Sequence, residues 1–360
     1  MTPTITGPLP GAPVTPVRLT GRLLRVGPLS VRWHPRVVIV GLVLAVLAAA
    51  MGVVVLGTGA MQLSWTEVVA ALLGRADSSA TRMIVVDIRL PRLVTGIFVG
   101  CCLGVAGSVF QSISGNALGS PDIIGFTTGS ATGAVAQIIL FNAGPTATAA
   151  AAVGGGLLTA AAVYLLSLKG GVTGGYRLVL IGIGVGAVLA AVNNLLLAKG
   201  QIDQAVSAQL WLSGSLNVRS WTHAMPVLVG FVLLLPVVLA LGRNLNVMEM
   251  GDDLARQLGI RVERTRLVLM VAAVGMTALA TAAAGPLAFV ALAAPQLVRR
   301  LTRADGAPLA LAALMGAVLV VVADLLTLYL PLNASMPVGL MTGFLGGSYL
   351  LYLLTRSRQV

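Results

Sequence analysis

The sequence predicts an all-α polytopic membrane protein of about ten transmembrane helices, with both termini on the cytosolic side. Three observations predict it. Of 360 residues, 57% are hydrophobic and only 9% are charged, where a soluble domain carries about a quarter charged residues. The apolar residues fall into uncharged runs of the length that crosses a bilayer, about 20 residues. The lysines and arginines are shared unevenly between the segments that join those runs. The net charge of +12 does not point to nucleic acid, because the arginines lie between apolar runs and form no basic face interleaved with aromatics.

Taken in order, residues 1–36 hold five arginines, no acid and many prolines. They lack an apolar stretch long enough for a signal-peptide core. They are expected to be a basic, disordered cytosolic tail, with contact to anionic lipid as the other reading. Residues 37–357 form one membrane domain. Its first six spans are read at 37–57, 93–113, 123–141, 146–168, 178–198 and 222–241. The next uncharged run, 267–298, has 32 residues, and one helix of that length would reach about 48 Å across a core of about 30 Å. Gly285-Pro286 breaks it, because proline removes a backbone donor and clashes with the preceding turn. Arg261, Arg264 and Arg266 precede this run and Arg299, Arg300 and Arg303 follow it, so it crosses twice. Runs at 307–330 and 338–355 complete ten. With the N-terminus inside, inner segments hold 17 of the 23 Lys and Arg residues.

That orientation places the charged stretch "MGDDLARQLGI", residues 250–260, on the cytosolic side between spans six and seven. Met250, Leu254 and Leu258 recur every four residues as an apolar stripe. Asp252 and Asp253 suit the positive end of a helix dipole and Arg256 the other end. Gly259 is placed to stop the helix, expected at about 247–262. So short a helix must dock on something, either its own protein or a partner.

Gly251, Ala255, Leu258 and Gly259 resemble the Gly-x-x-x-Ala-x-x-Leu-Gly coupling loop of importer permeases. Five further stretches carry the resemblance along the chain. They are "RLPR" at 89–92, "GNALGSPDIIGFTTGSATGA" at 115–134, "RLVLIGIGVGA" at 177–187, "GPLAFVALAAPQLVRRL" at 285–301 and "MPVGLMTGFLGGSYLLYLL" at 336–354. Together they are similar to the FecCD-type permease family, the membrane subunits of type II ABC importers for iron–siderophores, haem and vitamin B12. The resemblance implies the vitamin B12 importer permease fold. It also implies a cell-membrane transport subunit, with ferric siderophore as the substrate read first and cobalamin or haem as alternatives. It implies two ATPase subunits that bind ATP and magnesium, a second permease, and an extracytoplasmic substrate-binding protein. The chain itself has no Gly-x-x-x-x-Gly-Lys-[Ser/Thr] loop for ATP phosphates, so no cofactor and no enzymatic activity are expected of it.

By the same resemblance, Met250 to Ala255 with Arg256, Leu258 and Gly259 couple to the ATPase, and Arg89 and Arg92 engage acidic residues of the binding protein. Gly174, Gly175 and Tyr176 fall where the family closes its path on the cytosolic side. Departures from the family pattern, such as Gln296, Ser348 and Ala117, point to pairing with a related but non-identical permease, a homodimer being the other arrangement. Asn193 and Asn194 line the path or bond between helices. Asp324 is an acid within a span, read as a bundle contact or a proton relay. Cys101 and Cys102 are read as packing residues, and His34 and His223 lie at span edges. An ion-driven secondary transporter is the rival class, which calls for paired intramembrane ionisable groups.

Overall fold

The computed structural model describes residues 22–26, 29–59, 61–76, 78–170, 172–303, 306–329 and 336–356. Of the tail expected to be disordered, residues 1–21 lie outside the described residues. Within the remainder, β1 (Arg22–Val26) and β2 (Leu29–Trp33) pair antiparallel, from Arg22 opposite Trp33 to Val26 opposite Leu29. That hairpin departs from the expectation. Leu and Val stand on both sides of Gly27-Pro28 in the sequence, with Trp33 after it, a composition that favours strands around a turn signal.

The helices follow the apolar runs. They begin with α1 (Pro35–Gly57), α2 (Trp65–Leu72) and α3 (Ser79–Arg82). A π-helical segment, Met83–Arg89, joins α3 without a break to α4 (Leu90–Ser114). Next come α5 (Phe126–Ala136), prolonged by a π-turn at Gln137–Phe141, and α6 (Pro145–Ser167). A small hairpin, β3 (Leu168–Lys169) with β4 (Val172–Thr173), leads into α7 (Gly175–Lys199). The chain continues through α8 (Ile202–Leu212), α9 (Trp221–Ala240), α10 (Gly242–Met248) and α11 (Asp252–Gln257). It ends with α12 (Val262–Ala284), α13 (Val290–Thr302), α14 (Leu309–Tyr329) and α15 (Val338–Arg356).

Among the described residues, seven helical units are long and apolar enough to cross a membrane: α1, Ser79–Ser114, α6, α7, α9, α12 and α14. Phe126–Phe141 and Val338–Tyr352 are shorter apolar helices. Proline sits in the first helical turn of α1 and α6, where its missing N–H costs no hydrogen bond, whereas Pro91 lies within the continuous Ser79–Ser114 helix, just after its π-helical segment. The break expected at Gly285-Pro286 separates α12 from α13. Gly285 has φ +75° and ψ 177°, a region essentially restricted to glycine.

Helices α4, α12 and α14 form the centre. From Val99 to Ile113 α4 is buried all round, and it meets α14 and α13 through glycine. A side chain at Gly104 would overlap the Ala312 carbonyl, and one at Gly107 the Ala291 carbonyl. The small residues thus let backbones touch, which is how helices associate where lipid supplies no hydrophobic drive. Gly107→Val is expected to lose the folded monodisperse protein in detergent, because a backbone carbonyl cannot step aside. The cost should be about 3 kcal/mol, the upper end for overpacking. Gly154→Val, with nothing within 4 Å of its Cβ position, should elute as wild type in the same size-exclusion measurement.

Candidate functional site

One end of the bundle gathers α10 to α12, the end of α4, the start of α7 and the end of α13. Gly251 has φ +117°, so the chain turns sharply there and α11 starts at Asp252. Regular helix therefore covers Asp252–Gln257 rather than about 247–262, and Met250 lies ahead of it. Gly259, at φ +81°, ends the helix as expected. The Gly259 N–H donates to the Arg256 carbonyl and the Ile260 N–H to the Ala255 carbonyl, each at 3.0 Å. Arg256 pairs with Asp253 at 2.8 Å.

The face that α11 turns to its own protein is small. Ala255 is fully buried with Met248 and Val262. The stripe read from the sequence points away: Met250 is 70% exposed, Leu254 38% and Leu258 63%. Leu258 and Gly259 also border a groove of about 820 Å³ with Val237, Leu241, Arg261 and Arg264.

Behind α11 lies an ionic cluster. Arg266, on the first turns of α12, is 2% exposed. One of its terminal nitrogens donates to both Asp252 oxygens at 2.8 Å. The other donates to Glu263 at 2.7 Å and to the Thr173 carbonyl. Glu263 in turn accepts from the Thr173 hydroxyl at 2.7 Å and from its N–H at 3.2 Å. Asp252 thus faces inward instead of outward with the stripe. A second contact holds the other flank of α11: Arg299 of α13 donates to Glu249 at 2.7 Å, and Glu249 also accepts from Ser112 at the end of α4.

Thr173 immediately precedes the glycines read as a gate. Gly174 is open, with only the Arg177 Cβ at 3.9 Å from its own Cβ position. Gly175 packs on α4, its Cβ position 2.6 Å from the Ile113 carbonyl oxygen. Tyr176 is 80% exposed. Of the two asparagines of α7, Asn193 is buried with its Oδ1 unpaired, and Asn194 is exposed.

The opposite end holds the other sequence candidates. Arg89 is 8% exposed and donates to the Leu56 carbonyl at 2.7 Å and to the Met61 carbonyl. Arg92 grips Asp324 with two bonds, at 2.7 and 3.0 Å. Both arginines therefore have partners inside the chain. Back at the α11 end, Gln296, one of the departures from the family pattern, donates to the Ala117 carbonyl at 2.6 Å.

Sequence reasoning missed Arg266, Glu263, Glu249 and Arg299 as a connected set. Glu263 and Arg266 stand at i, i+3, a spacing that pairs on a helix, but the partners from 173 and 252 are far in sequence. It also missed Asp122, a part-buried acid between α4 and α5, set near Thr127 and the Phe289 backbone, whose Oδ2 is unpaired. Among the described residues, no three His, Cys, Asp or Glu side chains are grouped to hold a metal ion.

Comparison with known proteins places this geometry. The FecCD transport family model matches residues 35–356. The ferric enterobactin transport system permease protein FepG of Escherichia coli (strain K12) is 43% identical over 324 residues, covering 90% of this chain and 98% of that protein. A probable siderophore transport system permease protein of Bacillus subtilis (strain 168), YfhA, is 35% identical over 331 residues, with 89% and 95% covered. Among solved structures, a metal-chelate type ABC transporter in an inward-facing conformation superposes with a TM-score of 0.78 at 26% identity, covering 89% of this chain and 99% of that one.

Proposed function

Because the chain belongs to the FecCD transport family, we propose that it is the membrane permease of an ATP-driven importer for a ferric siderophore. The observation that carries this reading is the apolar face of α11. Leu254 and Leu258 stand exposed on a helix held firmly from behind by Arg266. A surface helix that only capped its own protein would turn its leucines inward.

In this reading ten helices cross the cell membrane, with both termini inside: the seven long apolar units, the two shorter apolar helices and α13. The count of 17 inner Lys and Arg out of 23 supports the orientation. The short helix α13 suffices because it is enclosed by protein, where irregular backbone at membrane depth is tolerated. The α11 end then faces the cytosol, where two ATPase subunits carrying ATP and magnesium cover the leucines. The Arg92 end faces outward to a substrate-binding protein. The path runs between this chain and a related second permease, along the exposed face of α7 and past Asn194, with Gly174 and Tyr176 at its inner mouth. The siderophore assignment rests on the names of the relatives.

The test is uptake by liposomes holding the chain with its sister permease and ATPase. Ferric siderophore is expected to accumulate only when ATP and the binding protein are both supplied, and excess cobalamin should not compete. Accumulation driven by a proton or sodium gradient without ATP would overturn the reading.

A further inference from the structure

We propose that Arg266 is a positioning residue that carries the movement of α11 to the Thr173–Gly174 loop. The inference rests on the reading of α11 as the ATPase-docking helix and goes beyond it, because it names the link between that helix and the path.

The geometry has three parts. Asp252, the first residue of α11, is gripped by one nitrogen of the guanidinium. Glu263 fixes the other nitrogen from α12 itself. Thr173 is held at its N–H, carbonyl and hydroxyl by this same pair, so it has little freedom to move apart from them. Thr173 is fully buried and stands one residue before Gly174. Displacing α11 alone would strip charge-assisted bonds from buried groups, which is costly. Displacing α11, the start of α12 and Thr173 together keeps every bond. The second route is therefore favoured. The Glu249–Arg299 contact leads instead to α4 and α13, and Gly251, with nothing within 4 Å of its Cβ position, separates the two attachments. A planar fork suits this set, since its two terminal nitrogens reach Asp252 on one side and Glu263 with the Thr173 carbonyl on the other, where lysine has a single nitrogen.

The experiment uses the complete complex in liposomes, with Arg266→Lys, Glu263→Gln and the near-isosteric Thr173→Val. Spin labels on Gly174→Cys and at the matching position of the second permease report the distance between the two inner mouths. Expected is ATPase co-purification and ATP hydrolysis near the wild-type level, with import reduced about tenfold, in the range of site-to-site couplings. The nucleotide-dependent change in the label distance should be lost. Import and label response at wild-type level in all three variants would overturn the relay. So would loss of all three from the membrane, which would make Arg266 a folding residue. If the unmodified chain fails to hold the ATPase, the α11 reading itself fails, and that outcome is separate because it appears before any variant is made.

Discussion

Leu254→Asp combined with Leu258→Asp is expected to abolish co-purification of the ATPase and all ATP-driven uptake, while the bundle stays folded. Leu258 is mostly exposed in the chain alone and Leu254 partly so, so aspartate there disturbs little internal packing. Ala255, which faces inward, is untouched. Covering one leucine is worth about 1.5–3 kcal/mol, so loss of two weakens docking by about two orders of magnitude or more. Asp252 continues to tie α11 to Arg266, and the helix therefore keeps its place. Gly259→Val is expected to act in the same direction more weakly. A β-branched residue at φ +81° is strained and spoils the turn that ends the helix. Affinity capture of the tagged permease, followed by quantification of the ATPase and an uptake assay, checks both. Full recovery of ATPase with normal uptake in the double variant would make α11 a plain surface helix.

The sequence showed the long apolar helices because their signal is one-dimensional. An uncharged run of 20 residues reads the same whatever surrounds it, and the Gly285-Pro286 break is written in the residue types. The apolar stripe of α11 was legible for the same reason, since a repeat every four residues is local. What could not be read was which way the charges point. Asp252 belongs to the stretch that looked outward-facing, yet its partner lies 14 residues on, and Thr173 reaches the same cluster from 93 residues away in sequence. Nothing in either segment marks the other. The short extent of α11 was also hidden, because Gly251 ends regular structure through its backbone geometry and not through an apolar pattern. The hairpin at Arg22–Trp33 sits inside a proline-rich segment whose composition dominates the reading. Asp122 was passed over because it borders an apolar run, and its neighbour Phe289 lies far along the chain.

The second large effect is expected at the opposite end, where Arg92 and Asp324 were candidates for separate roles. In the fold they are one pair, with Asp324 3% exposed on the last turns of α14 and Arg92 at the start of α4. Removing one partner of a buried pair leaves the other charge without compensation and costs about 3–5 kcal/mol. Asp324→Ala should therefore lower the thermal midpoint of the purified permease markedly and reduce its level in the membrane. Arg92→Met combined with Asp324→Leu should recover most of that loss, because apolar replacement of a whole pair is close to neutral. This double variant also separates the roles. If the pair serves only to lock α4 to α14, uptake in the presence of the binding protein returns with stability. If Arg92 docks the binding protein, the double variant is stable but fails to take up substrate. If Asp324 relays protons, Asp324→Asn keeps its shape and its hydrogen-bonding oxygen yet stops transport. Arg89 does not share these alternatives, since its guanidinium is committed to the Leu56 and Met61 carbonyls that close the end of α1. The expected result is recovery of both stability and uptake in the double variant; a stable double variant without uptake would refute the locking role as the whole account of this pair.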